Sequence, residues 1–589
     1  MTGRTDRARL ALLWGWVRPH RQGFLVATLL LALSFAVELL GPWLVRTAVD
    51  GPIADALAGN EGSPTTLLGL GGIYLVVVVG GGSALGYAFA RTTAQAGKAV
   101  IRDLRTALTA RLLTLDARWH DRESSGRSIT RVTADVDNLD QLLTTGALHA
   151  AFDLAKLAGF AIAIGVFAPA LVGFALVACA VAATISLLFR STARTAYAAV
   201  RQDLAQQNGL VAEAAAGIRT VRALGAESTL AARCATANRR TRDAWHRTIR
   251  RYATFFATID ASLRLSQAGM LWIGGLAVAR GDVTTGALVQ AWLYFQKLVG
   301  PIRDLGERYT VLPAALASGE RIAEVFAAQP APTNPVPAAT TLPPGPLALE
   351  FRGVCFGYAP DQPVLSGVDL TVEAGTTCAV VGPTGAGKTT LLALLSRIHD
   401  PDRGEVFVGG RAVTTVELGT LRRRVVVVPQ EPVLFRGTLR DNLLAQADDR
   451  SSDRVARALD ELGLTALIDA CGGLDAGVDG TGSQFSRGER QLLALARAAI
   501  AAPDVLVLDE ATASLDSATE SRLDRALASL CAGRTVMVVA HRLATVRHAD
   551  QIVVLDGGEI VERGRHAELA ARGGRYAAML RAARGENRA

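Results

Sequence analysis

Six apolar stretches, each long enough to cross a bilayer, fill the first half of this sequence and limit what it can fold into. A hydrocarbon layer ~30 Å thick needs about 20 residues of helix at 1.5 Å rise each. Stretches of that kind fall near 24–45, 66–90, 143–167, 170–189, 253–278 and 286–310. Lipid offers no hydrogen-bond partners, so each must satisfy its own backbone and reads as a helix. Composition agrees. Hydrophobic residues make up 50% of the 589 positions, and the mean hydropathy of +0.27 is high for a soluble chain. Arg4, Arg7, Arg9, Arg18 and Arg21 precede the first stretch, and no small-residue cleavage site follows it. A retained span is expected there, not a cleaved signal peptide.

Arginine placement orients the spans. The basic N-terminus, the segment 91–142 and the segment 190–252 are expected inside. The loop 50–64, which carries Asp50, Asp55 and Glu61 but no cation, is expected outside, and six crossings put both termini in the cytoplasm. The pI near 9.4 is explained by these flanking arginines and does not call for nucleic acid as a partner. Both long inside segments keep helical spacing of apolar residues, as in IRDLRTALTARLLTLDAR (101–118). They predict two cytoplasmic hairpins, turning near WHDRESSGRS (119–128) and LVAEAAAGIRTV (210–221). Within the spans, Asp153 and Lys156 are three apart, and Asp260 and Arg264 four apart, so each pair shares a helix face. Either they line a polar path together with Gln267, Gln290, Gln296 and Lys297, or each pair neutralises itself near the inner interface. Six scattered cysteines without a CxxC predict reduced thiols and no metal site.

The stretch QPAPTNPVPAATTLPPGP (329–346) holds seven prolines, excludes helix and reads as an extended spacer. It divides an all-α membrane domain (1–328) from an α/β domain (347–589). The second domain opens with CAVVGPTGAGKTTLLALL (378–395), a strand, a glycine-rich loop and a helix. The loop Gly382-Pro383-Thr384-Gly385-Ala386-Gly387-Lys388-Thr389-Thr390 fits the P-loop pattern. Its backbone amides wrap phosphates, Lys388 reaches the β- and γ-phosphates, and Thr389 ligates Mg²⁺. DVLVLDEATASLD (504–516) reads as a buried strand whose end presents Asp509 to the magnesium shell and Glu510 to an attacking water. VMVVAHR (536–542) places His541 at a strand end, within reach of a γ-phosphate, and VVVVPQ (425–430) ends on Gln430.

With GIRTVRALGAE (217–227), GDVTTGALV (281–289), FRGVCFGY (351–358), FSRGE (485–489) and GGEIVERGRHAEL (557–569), nearly the whole chain resembles ATP-binding cassette transporters of exporter architecture. The resemblance implies a half-transporter of six spans and one cassette that works as a dimer. Two ATP molecules with Mg²⁺ would lie between the P-loop of one chain and the signature of the other, and the hairpin turns would be coupling helices that dock on the cassettes. Matched position by position, Tyr358 resembles the aromatic that stacks on adenine. Gln430 resembles the residue linking magnesium and water to the coupling helices. Asp516 lies in the loop crossing between cassettes, and His541 resembles the switch histidine.

The signature departs from the family. Leu-Ser-Gly-Gly-Gln is replaced by Phe485-Ser486-Arg487-Gly488-Glu489, and VDGTGSQ (478–484) puts Gly480 where the family often has Glu. Arg487 either forces the backbone away from the γ-phosphate or binds phosphate through its guanidinium. Glu489 brings negative charge towards ATP unless Arg487 or Arg490 neutralises it. An intact P-loop side with an altered signature side predicts a heterodimer with a second half-transporter, holding one competent and one degenerate ATP site; the alternative is a homodimer. The resemblance implies ATP-driven export of amphipathic molecules, drugs or lipids from the plasma membrane. An importer on the same architecture and a regulatory membrane ATPase that moves no cargo stand as the other readings.

Overall fold

A computed structural model of the chain describes residues 14–59, 64–308, 311–334, 341–359, 362–445, 452–480, 482, 484–509, 517–539 and 546–583. The chain divides into two compact units. One comprises residues 1–113 and 125–328; the other joins 114–124 to 329–589.

The first unit is helical throughout. Arg21–Ala48 forms the first span. Residues 64–113 run as one helical rod, α-helical at both ends with a π-helical stretch at Tyr74–Gly81. Ala147–Phe167 is followed, after the Ala168 break, by the 48-residue helix Pro169–Ala216. Glu227–Ala279 and Thr285–Arg308 complete the six predicted spans as helices. Four of the described helical rods, 14–57, 64–113, 125–167 and 169–189, have both the length and the hydropathy to cross a membrane. The fifth and sixth spans are helical but more polar, carrying Asp260, Arg264, Gln267, Gln290, Gln296 and Lys297. The predicted cytoplasmic extensions follow from continuous helices 32 to 53 residues long. Short helices cap both hairpins, Ala117–Arg122 in the first and Ile218–Ala223 in the second.

The charged span residues separate into two kinds. Arg264 Nε meets Asp260 Oδ2 at 2.7 Å on one exposed helix face, a local pair. Lys156 instead reaches from the third span to Glu38 of the first, 2.6 Å away, while Asp153 is buried. Outside the predicted spans, Val311–Ala327 adds a helix locked to the first hairpin. There buried Asp135 accepts from Ser318 Oγ at 2.9 Å and Arg321 Nε at 2.9 Å, and Asn138 donates to Ser318 Oγ at 2.9 Å. Burial alone would raise the Asp135 carboxyl. The hydrogen bonds from Arg321 and Ser318 and the charges of Arg321 and Arg131 outweigh it and hold the group below the usual carboxylate range.

The second unit is α/β. Five strands, VVVV (Val425–Val428), VLVLD (Val505–Asp509), TVMVV (Thr535–Val539), TCAVV (Thr377–Val381) and QIVVLD (Gln551–Asp556), lie side by side in parallel, with Glu559–Gly564 antiparallel at one edge. Their unbroken apolar runs suit strands covered on both faces, and two apolar cores flank the sheet. A four-stranded antiparallel sheet is built from Gln362–Val372, Leu349–Ala359, Arg403–Val408 and Arg411–Ala412. The register pairs Val539 with both Asp509 and Val380, so the carboxyl ends of these strands emerge on one edge. In open α/β sheets that edge is where ligands bind.

Candidate nucleotide site

The loop after Thr377–Val381 is shaped by contacts that leave no room for side chains at two of its glycines. A Cβ on Gly382 would stand 2.1 Å from the Leu555 carbonyl oxygen. Gly387, at φ +98°, would bring one within 2.7 Å of Leu365 Cδ2 and 3.0 Å of the Val364 carbonyl oxygen. The left-handed turn at Gly387 starts the helix Lys388–Leu395 and aims its first amides back into the loop. Pro383, Thr384 and Gly385 are exposed on the rim, as is Thr389, while Ala386 is buried beneath them. Lys388 is itself buried, and its ammonium donates to the carbonyls of Gly382 at 2.7 Å and Pro383 at 2.9 Å. It thus holds a cationic head on its own loop, where phosphate oxygens would replace the carbonyls. Behind the loop, burial pushes the Cys378 thiol up to about 12, so this cysteine is an apolar filler and no nucleophile.

Tyr358 stands at the end of its strand with its hydroxyl 3.2 Å from Thr390 Oγ1, half-exposed, and its ring edge-on to both Phe356 and His399. The structure therefore brings the proposed adenine platform and the P-loop helix together. Asp509 closes its strand and Gln430 is exposed on the bend that follows Val425–Val428, both at the same sheet edge. Glu510, Asp516 and His541 lie outside the described residues.

The tip of the first hairpin packs beside this site. Asp116 caps the helix Ala117–Arg122 by accepting from the Arg118 amide at 3.1 Å, and the same oxygen faces His399 Nδ1 at 3.3 Å. Arg118 donates to Asp402 Oδ1 at 3.0 Å and lays its guanidinium over the Phe356 ring, 4.3 Å from the centroid. Arg122 Nη2 donates to the Tyr358 carbonyl at 3.4 Å. His399 and Asp402 carry no local sequence signal. Their role shows only once a segment 283 residues away is folded onto them.

The altered signature forms an ordinary helix start. Ser486 is the N-cap of Arg487–Ala501 and accepts from the Glu489 amide at 3.2 Å, while the Glu489 carboxylate reaches back to the Ser486 amide at 2.7 Å. This reciprocal box satisfies two donors that would otherwise be orphaned. Its signal, Ser followed three residues later by Glu, stands in the sequence. Arg487 is the first helical residue and exposed, Gly488 is buried, and Arg490 turns inward to the carbonyls of Phe485 at 2.7 Å and Gly482 at 3.3 Å. A side chain at 487 therefore costs the local backbone nothing. Arg490 binds carbonyl groups, not the Glu489 carboxylate.

The ABC transporter transmembrane region model matches residues 24–302, and the ABC transporter model matches 365–513. An ABC transporter ATP-binding protein of Bacillus subtilis is 32% identical over 98% of this chain and 94% of its own length. A multidrug efflux ATP-binding/permease protein of Mycobacterium tuberculosis is 33% identical over 96% of this chain but 46% of its own, so this chain spans about half of it. The solved structure of a bacterial Atm1-family ABC exporter with ATP bound superposes with a TM-score of 0.79 at 27% identity, covering 97% of this chain and 99% of that one.

Proposed function

The chain belongs to the ABC transporters, as an exporter-type half-transporter with its transmembrane region fused to its cassette, and on that premise we propose that it is one subunit of a heterodimer exporting amphipathic small molecules, drugs or lipids. Membership makes it a multi-pass membrane protein whose cassette binds ATP and hydrolyses it to drive transport. Half-transporters of this architecture act as dimers in the bilayer. The bilayer of this one is the bacterial inner membrane, with termini and cassette on the cytoplasmic side.

The observation that carries the heterodimer is the Glu489 carboxylate at the start of the signature helix. The helix N-terminus is where positive field and free amides would meet a phosphate. Here a carboxylate already occupies the Ser486 amide. A site completed by this helix binds ATP against a resident anion and turns over poorly, while this chain's own P-loop is unencumbered and needs a consensus signature from a different subunit. Tyr358 receives the adenine, the loop 382–390 and Lys388 hold the phosphates, and Glu510, His541 and Gln430 position the attacking water. Thr389, Gln430 and Asp509 would hold Mg²⁺, which when bound neutralises the β- and γ-phosphate charge. Ser486, Arg487, Gly488, Glu489 and Asp516 serve the partner's nucleotide across the interface.

Purifying the chain alone tests the assembly: a stable homodimer with brisk, vanadate-sensitive ATPase activity defeats the heterodimer. Glu510→Gln in the assembled transporter tests transport itself, since it must abolish ATP-driven flux in vesicles.

A further inference from the structure

Three charged side chains from three different spans meet at one depth. Glu38, Lys156 and Lys297 each lie roughly 20 Å from the cytoplasmic end of their predicted span, counting 1.5 Å per residue. Lys156 Nζ is 2.6 Å from Glu38 Oε2, and Lys297 Nζ is 3.6 Å from Glu38 Oε1. Their side chains keep exposures of 31% for Glu38, 22% for Lys156 and 36% for Lys297. Charged groups so deep in a ~30 Å layer do not face hydrocarbon, so this exposed surface belongs to a water-accessible path. The lysines are notable in themselves: the chain has four in all, against an arginine-dominated total of 62 basic residues. A compact, strongly hydrated ammonium on a flexible stem is the cation suited to a single oxyanion.

The charges do not balance at this point. One carboxylate serves two ammonium groups, and Lys297 stands beyond hydrogen-bond distance from it. Asp153, one turn away on the Lys156 helix, is buried. The polar groups above the cluster are engaged among themselves: Tyr294 Oη donates to the Leu39 carbonyl at 2.7 Å, Gln290 Nε2 to Tyr294 Oη at 3.4 Å, and Arg46 Nη1 to Gln290 Oε1 at 3.3 Å. Beside the charges lies an aromatic wall. Lys156 sits 5.0 Å from the centroid of Phe152, and Phe35 packs edge-on to Phe152 and Phe160. Phe35 fits there because residue 159 is glycine; a Cβ would stand 2.4 Å from its ring.

We propose that Lys156 and Lys297, held on either side of Glu38, form the headgroup site for an anionic amphipath, a carboxylate or phosphate whose apolar tail lies against Phe35 and Phe152. The anion takes the place of Glu38 at Lys297, and Glu38 keeps Lys156 in position. This rests on the reading of the chain as a transporter of amphipathic cargo and narrows its substrate class.

The test uses the assembled full-length transporter in phosphatidylcholine nanodiscs and three fluorescent C12 probes that share one tail: a carboxylate, its primary amide and a quaternary ammonium. The carboxylate is expected to bind at least tenfold more tightly than the amide, and the ammonium most weakly. Lys297→Gln should bring carboxylate binding down to the amide level, Lys297→Arg should keep the preference, and Glu38→Gln should tighten the carboxylate. Competition by added phosphatidylglycerol assigns the site to an anionic bilayer lipid; no competition assigns it to a free amphipath. Equal binding of carboxylate and amide, or a preference unchanged in a Lys297→Gln protein of native elution volume, overturns the proposal. ATP-driven flux of the amide without carboxylate preference sinks the site and leaves transport standing. Carboxylate preference without any ATP-driven flux does the reverse.

Discussion

Arg118→Ala should separate ATP hydrolysis from transport. Arg118 holds the tip of the first hairpin to the cassette through two interactions: a 3.0 Å ion pair with Asp402 and a guanidinium 4.3 Å above the Phe356 ring. The pair is partly exposed, with 26% of the arginine and 47% of the aspartate side chain accessible, so it is worth about 0.5–1 kcal/mol. The cation–π contact, on a buried ring, adds about 1–2 kcal/mol. The loss is then about 2 kcal/mol, or roughly thirtyfold in the docking equilibrium at 1.4 kcal/mol per decade. Arg118 touches neither the P-loop nor the signature helix, so basal ATPase activity should stay within about twofold of wild type. The number of substrate molecules moved per ATP in proteoliposomes should fall at least tenfold. Arg118→Lys should recover only part of this, because an ammonium keeps the charge and loses the planar stack. A double-mutant cycle with Asp402→Asn should assign about a third of the effect to the ion pair. An unchanged transport-to-ATP ratio in Arg118→Ala would refute the argument that these contacts carry the coupling.

Other expectations follow from the same geometry. Gly387→Ala meets a positive φ and a 3.0 Å backbone oxygen together, and should cost the loop about 2 kcal/mol or more. Fluorescent-ATP titration should show affinity reduced by more than tenfold, with the melting temperature lowered as well. Glu489→Gln keeps a residue able to complete the capping box but removes the charge. It should leave the melting temperature within about 1 °C and raise total ATPase activity of the assembled transporter up to about twofold; unchanged turnover would absolve the carboxylate. In the folded state the Asp135 carboxyl is held below its ordinary titration range. Its stabilisation is therefore fully present above the ordinary carboxylate range near pH 4 and is lost as pH falls through the lower folded value. Asp135→Asn should lower stability by about 2 kcal/mol at neutral pH, allowing for solvent at Arg321. The gap to wild type in thermal melts should narrow below pH 4.

The spans, the P-loop and the parallel strands were legible because each is written in contiguous residues. Twenty apolar positions in a row, GPTGAGKTT, or VLVLD declare themselves without tertiary context. The hairpin tips were legible for the same reason, in a loss of apolar spacing and a glycine. What escaped the sequence depends on partners far apart in the chain. Pairing by helical spacing pointed Lys156 to Asp153, three residues away, whereas the short contact that forms is to Glu38, on another span. In the sequence that carboxylate is a single charge in a stretch that otherwise reads as plain membrane helix. Asp260 and Arg264 do pair as their spacing suggests. The difference is that Lys156 has a helix packed against it and Arg264 has open surface. The signature lay between the two cases. Its departures from the family were visible, but whether Arg487 strains the backbone depended on the φ of one residue.

The proposed adenine platform, Tyr358, and the tip of the first hairpin share one set of contacts. Phe356 stacks beneath Arg118, its neighbour two residues on is Tyr358, and His399 touches both rings while facing Asp116. The Tyr358 carbonyl is held by Arg122. Any nucleotide that fixes the Tyr358 ring therefore acts on residues that also fix the hairpin, without a relay through the interior of the cassette. The capping box of the signature helix closes on itself. A nucleotide that engages Tyr358 would therefore bear directly on the segment 116–122, whatever the turnover at the site the signature completes. Within the altered signature Ser486 and Glu489 hydrogen-bond to each other, whereas the contacts that join the hairpin tip to this cassette run through Arg118 and Arg122.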